Sequence, residues 1–418
     1  MKLALQLGSL SLLNMAISFL FQWYVVIQLG PSVETDALFA SMTIPQLVLA
    51  VVAGSLSQVL VPLFSGESDE SLKRDSWGFL GVVLLLFGFV AIVFFLIFPV
   101  LLPLTVPGFS DISKQLTVEL AQIQLIGMVL AALNIVQWAV YQARQKFIWA
   151  EVATVTSGIF AFTSLIVMLP LYGVYAVVWV SIFRFLFQGL LLLPAMGMPS
   201  ALDFKSIPVH RAWCRIKPLL ISSSYTKTEP LIDRFLLSSS IGGVLSIYAL
   251  AQQMYGAANQ ILAKSISSPL VPILSRLHKA NEMICFQSMY QKKITLVAII
   301  CSVGYMAFSI LGEWFLTLLM TYGKFDKDDT VVLYWILIWL GGVFVGGALG
   351  QITSSSYYAK GDTKSPAYIS MITFTFYMPI KVLIFTVYSY KGLALLTSLY
   401  YLIDFLIMHI YQRRQFFN

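Results

Sequence analysis

The sequence predicts an all-α, polytopic membrane protein of about twelve transmembrane helices, arranged as two pseudo-symmetric six-helix lobes. Three observations lead there: recurring apolar stretches of membrane-crossing length, a one-sided distribution of basic residues, and a motif repeated in both halves. Apolar residues make up 59% of the 418, charged residues only 11%, and mean hydropathy is +0.84. A soluble domain carries about 25% charged residues. So much apolar surface exceeds what one water-soluble core buries, and lipid must solvate the rest. The net charge of +7 then reflects basic cytoplasmic loops, not nucleic-acid binding.

A crossing helix needs about 20 mostly apolar residues. Stretches of that kind fall at 3–29, 36–65, 77–105, 115–143, 147–170, 173–196, 216–240, 243–275, 290–320, 329–358, 364–388 and 391–412. The first is too long for a signal-peptide core of about 7 to 15 residues, and no A-x-A site follows it, so it reads as an uncleaved span. Those at 36–65 and 243–275 exceed a straight crossing and imply tilt or extension into water.

With the amino terminus placed in the cytoplasm, seventeen Lys and Arg fall on that side. Only Lys114, Lys324, Lys327 and Lys391 fall on the other. This positive-inside bias predicts a multi-pass membrane protein with both termini cytoplasmic and an even number of crossings. The remaining bases, Arg184, Lys227, Arg234, Lys264 and Lys381, lie within spans. The longest polar stretch holds Pro199, Pro208 and a cluster of bases. It suggests a lobe at 1–197, a cytoplasmic linker at 198–215 and a second lobe at 216–418.

An internal repeat supports that division. Residues 55–65 read SLSQVLVPLFS and residues 265–275 read SISSPLVPILS. Ser55, Ser57, Leu60, Val61, Pro62 and Ser65 recur 210 residues on. A weaker echo pairs Tyr141, Ala143 and Arg144 with Tyr357, Ala359 and Lys360 at an offset of 216. Two halves with even numbers of spans enter from the same side, which implies an axis along the membrane normal and a route between the halves.

The second span runs Thr35-Asp36-Ala37-Leu38-Phe39, then Ile44-Pro45-Gln46-Leu47, then Ser57-Gln58-Val59-Leu60-Val61-Pro62. It resembles the MurJ/MviN branch of the multidrug/oligosaccharidyl-lipid/polysaccharide exporter superfamily, whose second span carries T-D-A-F-F…L-P-N-L…S-Q-A-F-V-P. Leu270-Val271-Pro272-Ile273-Leu274-Ser275 is similar to that family's eighth span. The resemblance implies two six-helix lobes around an alternately opening cavity. It also implies flipping of an undecaprenyl-(pyro)phosphate-linked saccharide, lipid II-like or a polysaccharide repeat unit, from the cytoplasmic to the outer leaflet. The family's Arg-Asp pair in the first span is here Phe21 and Gln22. Its base after the second-span proline falls near Leu49 or Ala50, and its Asp-Arg pair of the eighth span becomes Gln252-Gln253. The cavity charges of the family are neutral at these positions.

Charge sits instead in the seventh span, Lys227-Thr228-Glu229-Pro230-Leu231-Ile232-Asp233-Arg234. Ionisable groups at membrane depth are costly and usually face a cavity or a partner. Glu229 and Asp233, four apart, share a helix face. Pro230 removes a backbone hydrogen bond and should kink the span at a gate. In the functional reading, the cavity cations Lys227, Arg234, Lys264 and Arg184 contact a phosphate-bearing headgroup. Glu229, Asp233 and Asp404 then balance charge or couple to H⁺ or Na⁺. Equally, two cations and two anions can neutralise one another within a structural cluster. Lys381 and Asp404 are expected to pair.

No cofactor is implied: the drive would be H⁺, Na⁺ or the membrane potential, and there is no Walker A sequence. His210, His278 and His409 are scattered, and Cys214, Cys285 and Cys301 show no CxxC spacing, so no metal site is expected. Asp326-Lys327-Asp328-Asp329 reads as a solvated loop. The expected partners are the bilayer and an isoprenoid-linked saccharide, with no nucleic acid and a monomeric chain. A cation-coupled exporter of small amphipathic compounds is the neighbouring alternative. A membrane-embedded glycosyl- or acyltransferase is the distant one, since no catalytic acid or base stands in an aqueous loop; the chain reads as no enzyme.

Overall fold

In lipid every backbone N–H and C=O must be satisfied within the chain, which for apolar segments of this length leaves the α-helix. The computed structural model describes residues 2–64, 69–197 and 225–417, and the linker predicted at 198–215 lies outside them. Its helices are α1 (Lys2–Leu29), α2 (Val33–Phe64), α3 (Asp69–Thr105), α4 (Asp111–Ala143), α5 (Phe147–Tyr172) and α6 (Val174–Leu192). After these come α7 (Glu229–Leu237), α8 (Val244–Leu262), α9 (Ser268–Lys279), α10 (Met283–Met320), α11 (Lys327–Trp339), α12 (Gly341–Ala359) and α13 (Lys364–Phe417).

Among the described residues nine stretches are long and apolar enough to cross a membrane, with α11 and α12 forming one of them. α13 bends at Ser389 and supplies two crossings. Adding α7 and the α8–α9 segment is consistent with twelve. Large apolar side chains stay uncovered along α3 and α10, Leu96 at 70% and Ile310 at 77% among them. A soluble protein would not leave such rows in water.

The chain divides into two compact units, Met1–Gly243 and Val244–Asn418, with α7 in the first. The first unit is built around α4, which packs on α2, α3 and α6. The second is built around α12, packed on α13, α10 and α9.

The repeat is structural. Leu60 and Phe64 of α2 and their counterparts Leu270 and Leu274 of α9 are all at most 1% exposed, each pair in the core of its own unit. At the offset of 216, the N–H of Lys146 bonds the carbonyl of Tyr141 at 2.9 Å, and that of Asp362 bonds the carbonyl of Tyr357 at 3.0 Å. Both close a helix with a left-handed residue, Gln145 at φ 58 and Gly361 at φ 78, the six-to-one bond of a helix C-terminal motif. In the second unit Asp362 also caps α13, accepting from the N–H groups of Lys364 and Ser365. Burial works to raise the Asp362 carboxyl. The hydrogen bonds from Ser365 and Lys364 and the Lys360 charge outweigh it and hold the group below its ordinary value.

Candidate functional site

The charged run of the seventh span lies on a short element. A 3₁₀ turn, Thr226–Thr228, leads into α7, with Thr228 Oγ1 donating to the Tyr225 carbonyl at 2.7 Å. Pro230 stands in the first turn of α7, where a missing N–H costs no helical bond. Within the described residues it opens the α-helix after the tighter turn, at the place where a kink is expected from the sequence. The residues preceding Tyr225 in this predicted span, 216–224, lie outside the described ones.

α7 packs on α2 and α3, with Leu231 against the apolar core of the first unit. Asp233 is fully buried, and Arg234 is half-buried with its Nε and Nη1 out of solvent. Glu229 is half-buried one turn earlier. Lys227 Nζ donates to the backbone carbonyl of Ala50 in α2. This contact places a cation where the family resemblance leads one to expect a base and where α2 itself carries none.

Next to Ala50, Leu49 lines a cavity of about 330 Å³ within the first unit. Its other walls are α4, through Asn134 and Trp138, and α6, through Phe185 and Gln188. Asn134 Nδ2 donates to the Phe185 carbonyl at 2.9 Å, and Gln188 Nε2 to Thr154 Oγ1 of α5 at 3.2 Å. An indole and two fixed amides in one cavity suit a polar ring with hydroxyl groups, and the Lys227 ammonium on the same stretch of α2 suits a phosphate. No motif marks Asn134, Trp138 and Gln188; their one signal in the sequence is an amide at membrane depth in α4 and again in α6.

The other predicted cations are elsewhere. Arg184 of α6 faces α1 and α5: a side chain at Gly158 would come 3.8 Å from both Arg184 Nη2 and Asn14 Oδ1. Lys264 falls in a π-helical segment, Ala263–Ser267, and its side chain lies outside the described ones. In the second unit Asp404 and Lys381 do not form the expected pair. Asp404 accepts from Thr373 Oγ1 at 2.7 Å and Ser370 Oγ at 3.1 Å, while Lys381, fully buried, lies over the Tyr377 ring at 4.8 Å.

The Thr35-Asp36 motif has a structural task. Thr35 Oγ1 donates to the Gly30 carbonyl at 2.7 Å and closes the turn between α1 and α2. Asp36, 3% exposed, accepts from the Gly243 N–H at 2.7 Å. Gly243 is at φ +91 and a Cβ there would meet Pro31 at 2.8 Å, so only glycine fits. The buried carboxylate thus ties the start of α2 to the residues that follow α7. The acidic run 326–329 is a helix cap: Asp326 Oδ1 accepts from the Asp329 N–H, and the Asp326 N–H donates back to Asp329 Oδ2. Among the described residues no group of His, Cys, Asp and Glu is arranged to hold a metal.

Comparison with known proteins bears on this arrangement. The family described as "Lipid II flippase MurJ" matches residues 25–418. A probable lipid II flippase MurJ of Rickettsia prowazekii is 23% identical over 387 residues, covering 88% of this chain and 75% of that protein. Among solved structures, lipid II flippase MurJ in an inward closed conformation superposes with a TM-score of 0.83 at 18% identity, covering 97% of this chain and 87% of the other. An inward-facing multidrug-resistance MATE transporter of the MOP superfamily follows with a TM-score of 0.78 at 14% identity, covering 96% and 94%. At these identities the structural likenesses show the fold: all-helical and shared by MurJ and MATE transporters.

Proposed function

The chain belongs to the lipid II flippase MurJ family, and from that premise we propose an alternating-access flippase for an undecaprenyl-(pyro)phosphate-linked saccharide. It moves this cargo from the cytoplasmic to the outer leaflet of the bacterial inner membrane. The basic residues concentrated on one side support cytoplasmic termini. The reading needs no bond made or broken, so it assigns transport and no catalysis. A single chain suffices, with the lipid bilayer as its other partner.

One observation carries the cargo assignment: Lys227 bonds the Ala50 carbonyl, and the adjacent residue of α2, Leu49, lines the cavity with Asn134, Trp138 and Gln188. The ammonium is a point charge for a phosphate. The indole and amides suit sugar rings, and the apolar flanks of the helices suit a polyprenyl tail. Arg234, one turn beyond Pro230, adds a second cation on the same element, and Glu229 and Asp233 balance charge when cargo is absent.

The test is leaflet translocation in proteoliposomes with labelled lipid-linked saccharides. A hydrogen bond to a charged group contributes about 1.5–3 kcal/mol, so Lys227→Ala should slow translocation roughly 10- to 100-fold, with Lys227→Arg recovering part of it. Wild-type rates in Lys227→Ala would remove the site assignment. Movement of cationic drugs, with none of the lipid-linked saccharide, would replace the reading with that of a cation-coupled exporter.

A further inference from the structure

Asp404 lies on the second arm of α13, within the membrane-crossing stretch Lys364–Arg414, and faces two hydroxyls of the first arm. Thr373 Oγ1 stands 2.7 Å from Asp404 Oδ1, 3.0 Å from the Ile369 carbonyl and 3.1 Å from the Ser370 carbonyl. A hydroxyl has one proton to donate and two lone pairs to accept with. All three neighbours are acceptors when Asp404 is ionised, so Thr373 then turns its proton to the carboxylate and leaves both carbonyls. When Asp404 is protonated, its O–H donates to Thr373 Oγ1, and Thr373 donates to the Ile369 carbonyl. Ser370 Oγ, 3.1 Å from Asp404 Oδ2, donates in either state. The arrangement closes in both protonation states by turning one hydroxyl.

We propose that Asp404, with Thr373 and Ser370, is a proton-binding site that loads and unloads H⁺ during the transport cycle. The inference rests on the flippase reading for its use, not for its chemistry. Two oxygens 2.7 Å apart are at the separation of a short hydrogen bond, with one proton between them. Several titratable groups on the neighbouring elements have other contacts. Tyr357 of α12 donates to the Met408 carbonyl, Tyr290 of α10 shares a hydrogen bond with His409, and Lys381 lies over Tyr377. Lys327, Asp328 and Asp329 stand at the start of α11, and Arg413 and Arg414 near the end of α13.

Infrared difference spectroscopy of the purified full-length protein reads the proton directly. A carboxylic-acid carbonyl band should titrate with bulk pH in the wild type and vanish in Asp404→Asn. In Thr373→Val, which loses the donor to the carboxylate, its midpoint should rise by about one pH unit, a tenfold gain in proton affinity. In proteoliposomes an imposed pH gradient should speed translocation by the wild type and not by Asp404→Asn. A band unchanged in Asp404→Asn would overturn the proposal. So would a wild type driven by a sodium gradient and indifferent to a pH gradient. A wild type that moves no lipid-linked saccharide yet keeps the Asp404-dependent band would remove the flippase reading and leave the proton site standing.

Discussion

The turn at Gly173, between α5 and α6, and the bend at Ser389, inside α13, lie 216 residues apart and share a backbone conformation. Gly173 has φ 55 and ψ −135; Ser389 has φ 54 and ψ −147. The two units therefore repeat a scaffold down to single dihedral angles, and they differ in how their helices meet. In the first unit α4 runs unbroken from Asp111 to Ala143 and holds α6 with side chains. Asn134 Nδ2 bonds the Phe185 carbonyl at 2.9 Å and Gln137 Nε2 bonds the Gly189 carbonyl at 3.1 Å.

In the second unit the matching helix is cut at Leu340, between α11 and α12. The cut follows from Gly341 and Gly342, where α4 has Leu125 and Ile126. Without side chains the backbone comes against Tyr305 and Ser398, and the freed groups find partners there. The Gly342 N–H donates to Ser398 Oγ at 2.9 Å, Ser398 Oγ donates to the Trp339 carbonyl, and Tyr305 Oη donates to the Ile338 carbonyl at 2.8 Å. A side chain inserted into the ladder is a recognised cause of helix bending. The lesson is that one scaffold supports a stiff half and an interrupted half, and that the small residues decide which.

The largest effect expected from breaking this contrast is at Gly342. A Cβ there would lie 2.6 Å from the Ser398 carbonyl oxygen, which is backbone and cannot yield. Gly342→Ile, copying α4, should cost about 3 kcal/mol or more and sharply lower the folded yield in fluorescence-detected size exclusion. The reciprocal Ile126→Gly removes a side chain that is 50% exposed and should cost about 1 kcal/mol. Equal losses in the two variants would end the comparison.

A smaller effect of opposite sign is expected at Ser389. Its dihedrals belong to a region that glycine adopts freely and other residues enter at about 1–3 kcal/mol. Ser389→Gly relieves that strain and gives back part of it through the looser unfolded chain. The net gain should be about 1 kcal/mol, read as a rise of roughly 2 °C in the melting temperature in detergent. A fall would mean that Ser389 is not strained and that the match to Gly173 is superficial.

Much of this scaffold is legible in the amino-acid pattern, because lipid leaves apolar segments one solution. The gaps predicted at 171–172 and 389–390 flank or contain the turns at Gly173 and Ser389. The cut at Leu340 is hidden inside the predicted span 329–358: glycine is near neutral in hydropathy and two of them barely lower the average of an apolar span, and Ser398 is remote in sequence. At the candidate site, Lys227 stands out as a charge at depth, but its partner is a backbone carbonyl of Ala50, which no pattern marks. Ser370 and Thr373 are ordinary hydroxyls until folding sets them against Asp404. Asp36 was visible only as part of a motif; its work on Gly243 is set by the turn that glycine makes.

The finest test of the comparison concerns the repeated motif itself. Residues 55–64 continue α2 as an unbroken helix, whereas residues 263–267 are π-helical before α9 begins. The sequences differ at one telling place: Pro269 stands where the first half has Val59. Proline has no N–H to bond the carbonyl of Ser265, and its ring presses on that carbonyl. The wider i→i+5 pattern relieves both, and such bulges gather at functional sites. Pro269→Val returns an N–H worth about 1 kcal/mol when bonded, and loses a restriction on the unfolded chain worth about 0.4–1 kcal/mol. The two nearly cancel, so the melting temperature should stay within about 1 °C. The change should appear instead as stronger amide hydrogen-exchange protection from Ala263 to Ser267, which would mark proline, and not the surrounding packing, as the origin of the interruption. If protection stays as in the wild type, the packing around α9 imposes the π segment, and the two halves differ there for reasons beyond this one residue.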